Sequence, residues 1–193
     1  LNELEAVSRK YRTFLDHGKT ERECVDYTVA WLEKEHFATF EFGKKYAAGD
    51  RIYYNNRGRS IVFAVIGKKP LERGLNIVGA HIDSPRMDLK QNPLFEDTEM
   101  ALLDTHYYGG IKKYQWVTIP LALHGVVVKK DGSVIELAIG EKEDDPVMCI
   151  SDLLIHLAGK QMDKKATEVI EGENLDVLVG SRPLKSEDDK EIK

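Results

Sequence analysis

The side chains of this 193-residue chain best equipped for chemistry are His81 and Asp83, which close the apolar run Ile77-Val78-Gly79-Ala80. In a strand, residues two apart point to the same side, so both side chains can aim at one spot just beyond a sheet. An imidazole nitrogen is a good zinc ligand. A carboxylate beside it can accept the ring's other N–H, fix the tautomer and raise the basicity of the ligating nitrogen. Ser84-Pro85 follows as a turn signal. A His-x-Asp pair alone also fits a histidine that merely hydrogen-bonds its neighbour at a strand end. His106 is a second candidate, for substrate contact, because it stands close to Gly109-Gly110. Paired glycines let a backbone turn tightly or approach a ligand closely. No Gly-Lys-Ser/Thr follows them, so they are not a phosphate loop. His124 in an apolar strand and His156 in a short helix read as packed or surface histidines. Ser84 lacks the Gly-x-Ser-x-Gly setting of a nucleophile, and Asp152 is explained by the first turn of a helix.

The elements that must position these residues can be read from periodicity. Leu4, Val7, Tyr11, Phe14 and Leu15 recur at helical steps and predict an amphipathic helix closed by Gly18. Thr20-Glu21-Arg22-Glu23 is a capping box that opens a second helix, with Cys24, Val25, Thr28, Val29 and Leu32 on one face. Phe40, Phe42 and Tyr46 fall in an extended segment containing a turn. Residues 51–54 and 60–67 predict a hairpin about Asn55-Asn56-Arg57-Gly58, the second arm being a central strand by its continuous apolar character. Residues 75–80 predict a buried strand that delivers His81 to its end, and the mouth of a sheet is where α/β folds usually do chemistry. From about residue 88 to 140 the pattern is antiparallel β, broken at Asn92-Pro93 and turning at Lys130-Asp131-Gly132. Residues 141–146 form an acidic loop, 151–157 a short helix capped by Ser151, and 175–180 a last strand. The charge run 186–193 has nothing to bury.

Composition narrows the partners. Hydrophobic residues make up 42%, enough for a core, and charged residues 32%, with both signs interspersed and a net charge of −5. A nucleic-acid backbone would want a clustered basic face, and no apolar run approaches the ~20 residues of a membrane helix. No secretory leader is evident in these residues. Cys24 and Cys149 have neither zinc-knuckle nor disulfide-framework spacing and read as buried thiols of a reducing cytoplasm.

Gly79-Ala80-His81-Ile82-Asp83-Ser84-Pro85, then Tyr108-Gly109-Gly110, then Ile119-Pro120-Leu121-Ala122-Leu123-His124-Gly125-Val126-Val127 occur in that order. Together they resemble the aspartyl aminopeptidase family of metal-dependent exopeptidases, across nearly the whole chain. The resemblance implies an α/β fold. Residues 1–87 would be the N-terminal part of a zinc-exopeptidase α/β/α catalytic domain, 88–185 an inserted β-rich oligomerisation domain, and 186–193 a charged linker or disordered end. It implies an enzyme that releases N-terminal amino acids from peptides, with His81 as a metal ligand and Asp83 as a catalytic residue supporting it from behind. Two divalent ions would complete the site, zinc or alternatively cobalt or manganese. They would activate a bridging water and stabilise the tetrahedral oxyanion while a carboxylate takes the proton. It further implies a cytoplasmic homo-oligomer, dimers building into a dodecamer, with no nucleic-acid or membrane partner. Lys112-Lys113-Tyr114-Gln115-Trp116-Val117-Thr118 stands where many members carry Trp-Phe-Asp-Arg-Asp, which suggests a bacterial branch. Members are roughly twice this long, as two-domain enzymes would be. The general base and the remaining ligands are therefore expected beyond these residues, and this N-terminal fragment is expected to be inactive alone. The alternative is a non-catalytic oligomerising or peptide-binding module whose β region pairs with a neighbour's edge.

Overall fold

The computed structural model describes residues 1–182, together with the backbone of Leu184–Lys185 and Glu191–Ile192. The chain divides into two compact units, Leu1–Ser84 and Pro85–Lys193.

The first unit opens with α1 (Asn2–His17), whose acidic first turn, Glu3 and Glu5, and basic last turn, His17, complement the helix dipole. It ends at Gly18, whose N–H donates to the Phe14 carbonyl. The predicted apolar stripe forms but stays uncovered within the unit: Leu4 and Val7 are each 68% exposed. Helix α2 (Glu21–Lys34) begins with the capping box as predicted, Thr20 Oγ1 accepting from the Glu23 N–H and Glu23 Oε2 accepting from the Thr20 N–H. Its buried face is Cys24, Val25 and Leu32. Strand β1 (Ala38–Thr39) runs parallel to β2 (Arg51–Asn56), which pairs antiparallel with β3 (Ser60–Val65) from Arg51↔Val65 to Asn56↔Ser60. The hairpin turn places Arg57 and Gly58 at positive φ, as a tight primed-type turn demands. The buried Tyr53 ring sends its hydroxyl to Glu33 on α2 at 3.0 Å.

Two expectations fail in this unit. Strand β3 is an edge of the sheet order β1-β2-β3, with Val62, Phe63 and Val65 exposed, so it is not a central strand here. Residues 75–80 form no strand, and Ile77 and Val78 are 82% and 98% exposed. A continuous apolar run becomes a buried strand only with a ladder partner and cover on both faces; β3 has a partner on one edge only, and residues 75–80 have neither among the described residues.

The second unit is antiparallel, as expected. Strand β4 (Arg86–Asp97) pairs with β5 (Met100–Tyr108), followed by the hairpin β6 (Leu123–Val128) and β7 (Val134–Ile139). The single-turn helix α3 (Gly159–Met162) leads towards β8 (Val177–Gly180), which pairs antiparallel with β5. Backbone strands β9 (Leu184–Lys185) and β10 (Glu191–Ile192) pair antiparallel. The rest of the charge run expected as a linker, 186–190 and 193, lies outside the described residues. Asn92-Pro93 does not end its strand. The register slips between Leu89 and Leu94, so the proline, which has no N–H to offer, sits in a bulge of the edge strand. The core gathers Val117, Met148, Ile150, Ile170, Leu175 and Val177, with Met87, Leu103, Trp116 and Leu121 packed around it. Gly140, at φ +98°, must be glycine: a Cβ there would lie 3.0 Å from the Leu121 carbonyl oxygen. Residues 151–157 are not the predicted helix. Ser151 caps nothing helical, residues 155–157 only turn, and Leu154 is 71% exposed. Asp152 Oδ1 instead accepts from the Leu153 N–H and from Gln161 Nε2, each at 2.8 Å, a local side-chain bond that competes with helix formation.

Candidate metal-ligand site

His81 lies in chain without regular structure, yet the contact with Asp83 forms. Its Nδ1 is 2.9 Å from the Asp83 carbonyl oxygen and 3.2 Å from Asp83 Oδ1. Both neighbours are acceptors, so the neutral ring satisfies them only with the proton on Nδ1. That tautomer puts the lone pair on Nε2. The ring is 83% exposed and the Asp83 side chain 36%. The carbonyl oxygen of Ile82, between the two, lies 3.7 Å from the buried Cys24 sulfur on α2. Carboxylate, tautomer and outward ring together make one ligand of the kind zinc takes.

One ligand does not hold a metal. Among the described residues no three His, Cys, Asp or Glu side chains gather into a possible metal site, whereas zinc takes three or four protein ligands. The described residues therefore do not fit a complete zinc centre.

His106 belongs to the other unit. It is exposed, stands opposite Asp88 in the β4–β5 ladder, and stacks on Tyr107 at 5.6 Å between ring centroids and 22° between planes. His124, expected to be packed or on the surface, is only 12% exposed and pairs with Glu141 at 2.8 Å. His156 is exposed in the turn after residue 154. Sequence reading missed two polar clusters of the second unit. Lys90 Nζ bridges Asp104 at 2.8 Å and Glu173 at 2.9 Å, and these bonds raise its pKa. Near them, burial and then Asp104 push the Asp176 carboxyl above its usual range. Arg86 Nε donates to Asp88 at 2.7 Å while its guanidinium lies 4.1 Å over the Tyr108 ring. The Arg86-x-Asp88 spacing on one strand face could have shown that last pair. Lys90 and Glu173, 83 positions apart, left no local signal.

The family model described as aminopeptidase I zinc metalloprotease (M18) matches residues 14–193. The chain belongs to the M18 family. A probable M18 family aminopeptidase 1 of Clostridium acetobutylicum is 52% identical over 195 residues, covering 99% of this chain and 42% of that protein. The crystal structure of an M18 aminopeptidase from Thermotoga maritima superposes with a TM-score of 0.88 at 46% identity, over 96% of this chain and 41% of that one. Aminopeptidase I of Borrelia burgdorferi B31 gives 0.83 at 38% identity, over 100% and 43%. The chain thus spans about two-fifths of the length of the M18 relatives it matches. No helix among the described residues is long and apolar enough to cross a membrane.

Proposed function

We propose that the protein carrying this sequence is a metal-dependent aminopeptidase that removes N-terminal residues from peptides. His81 is the first-sequence ligand of its metal site, bound through Nε2, and Asp83 holds the ring from the other side. The observation that carries this reading is the Nδ1 contact to Asp83 behind an outward-facing imidazole, in a chain of the M18 family. In this reading zinc is the resident metal, two ions complete the site, and cobalt or manganese can substitute. His81, with ligands outside the described residues, would hold the metal, which would supply Lewis-acid chemistry for the scissile carbonyl and for water. The remaining ligands and the general base are not among the residues described here, so residues 1–193 alone do not hydrolyse peptides.

Residues 1–87 would then belong to the catalytic domain and 88–185 to an inserted β-rich domain through which copies assemble into dimers and a dodecamer. His106 would contact substrate, and the enzyme would work in the cytoplasm. The test uses the natural full-length polypeptide, whose intact mass should far exceed 21.9 kDa. Aminoacyl-nitroanilide hydrolysis should be abolished by a chelator and fall at least about a hundredfold in His81→Ala, with zinc content reduced. Unchanged hydrolysis and zinc content in His81→Ala would remove the assignment.

A further inference from the structure

The Cys24 thiol lies where three stretches of the first unit meet. Its sulfur is 3.5 Å from the Gly18 carbonyl oxygen at the end of α1 and 3.7 Å from the Ile82 carbonyl oxygen, between His81 and Asp83. The residue is only 4% exposed. Gly18 makes the junction sterically accessible, since a Cβ there would come within 2.7 Å of the sulfur. Both oxygens are acceptors and the thiol has one proton, so it donates to one of them at a time, and only while the sulfur keeps that proton. Burial, followed by the Glu23 and Glu21 carboxylates, holds the thiol pKa above its ordinary value, so the S–H persists through neutral pH. The donor is rigidly mounted: Val25 and Leu32, on the same face of α2, are both fully buried. The acceptor belongs to a segment without regular structure.

We propose that Cys24 is a positioning residue for His81. Shared between the Gly18 and Ile82 carbonyls, its S–H, when given to Ile82, fixes that carbonyl against α2, and so keeps His81 and Asp83 in the arrangement where Nδ1 donates to Asp83 and Nε2 faces outward. The functional meaning of this tether rests on the reading of His81 as a ligand, but its geometry does not require the metal. An S–H···O contact is weak, so the tether should bias the local equilibrium about two- to fivefold.

The experiment is imidazole 15N spectroscopy on the natural full-length polypeptide stripped of metal, at about pH 8, with backbone 15N order parameters at Ile82 and Asp83. In Cys24→Ala the ratio of Nδ1–H to Nε2–H tautomer should fall about two- to fivefold and the order parameters should drop. Cys24→Ser, which keeps a donor, should recover most of both. Val25→Ala serves as the control, a core truncation beside the thiol that should loosen α2 without moving the tautomer. Gly18→Ala, which displaces the sulfur while leaving it in place chemically, should shift the tautomer as Cys24→Ala does, and keeps the test open if that variant does not fold. A Cys24→Ala ratio equal to wild type would overturn the proposal. So would a Cys24→Ser variant that behaves like Cys24→Ala, since packing rather than donation would then explain the effect. Zinc content and hydrolysis that ignore His81→Ala in the full-length enzyme would sink the ligand reading while leaving the tether intact.

Discussion

The imidazole of His81 has two nitrogens with different duties. Nδ1 faces two oxygens of Asp83, one from the backbone at 2.9 Å and one from the carboxylate at 3.2 Å. The backbone contact survives any substitution at 83, so Asp83 should be partly dispensable. On the proposed reading of His81 as a ligand, Asp83→Asn keeps an oxygen acceptor but loses the negative charge that would strengthen the ring as a donor of electrons to metal. It should lower zinc affinity of the full-length enzyme about tenfold, towards the lower end of the range for groups behind a ligand. Asp83→Ala, which also frees the segment, should cost more. Competition with a chromogenic chelator measures both; equal affinities in wild type and Asp83→Ala would show that the carboxylate is not coupled to the ring. Titration supplies a separate test in the second unit. Asp145 accepts from the backbone N–H groups of Lys142, Gly140 and Glu141, which hold its pKa below the usual carboxylate range. A depressed acid contributes stability that is complete above its unfolded pKa and lost as pH falls through the folded one. The amide shifts of Gly140 to Lys142 should therefore move together as pH falls below about 4, and this common movement should be lost in Asp145→Asn.

At the scale of elements, local signals were legible and tertiary ones were not. The capping box at Thr20 and Glu23, the glycine that ends α1, and the hairpins about Gly58 and Gly132 are decided by residues within four positions of one another. Thr20→Ala removes the acceptor for the Glu23 N–H and should lower stability by about 1 kcal/mol, read as a shift of the urea midpoint with unchanged slope. A change below a few tenths would mean that α2 is held by Val25 and Leu32 alone. The errors share a different cause. Apolar content in 60–67 and 75–80 suggests burial, yet burial is a property of what lies against a strand: β3 has one ladder partner, with the rings of Trp31 and Phe37 against Phe63, and 75–80 is exposed throughout. Pro93 looks like a breaker in sequence because the bulge that tolerates it depends on pairing with β5. At 151–157 helical apolar spacing lost to the side-chain bonds of Asp152. The candidate site divides along the same line: the His81–Asp83 contact, two residues apart, was visible in sequence, whereas the Cys24–Ile82 contact spans 58 positions and was not.

The molecule as a whole exposes more apolar surface than scattered single residues would explain. In the first unit Phe42, Ile77 and Val78 are 82%, 82% and 98% exposed, and in the second Val147, Leu154 and Leu157 are 77%, 71% and 70%. Contiguous exposed stretches of this kind mark surfaces that further polypeptide covers, either more of the same protein or a second copy. A net charge of −5 spread over both signs opposes association only weakly, and salt screens it further. Self-association driven by apolar contact should therefore persist in salt, unlike association steered by charge. Sedimentation velocity of residues 1–193 should show a weight-average mass that rises above 21.9 kDa with concentration and changes little when ionic strength is raised to about 0.5 M, where the Debye length is under about 5 Å. Val78→Asp and Leu154→Asp, one in each unit, should each lower that mass at a fixed concentration if its stretch carries the contact. A single species of 21.9 kDa across the whole concentration range would remove self-association of this chain. Loss of association in high salt would move its cause from the apolar stretches to the charged ones.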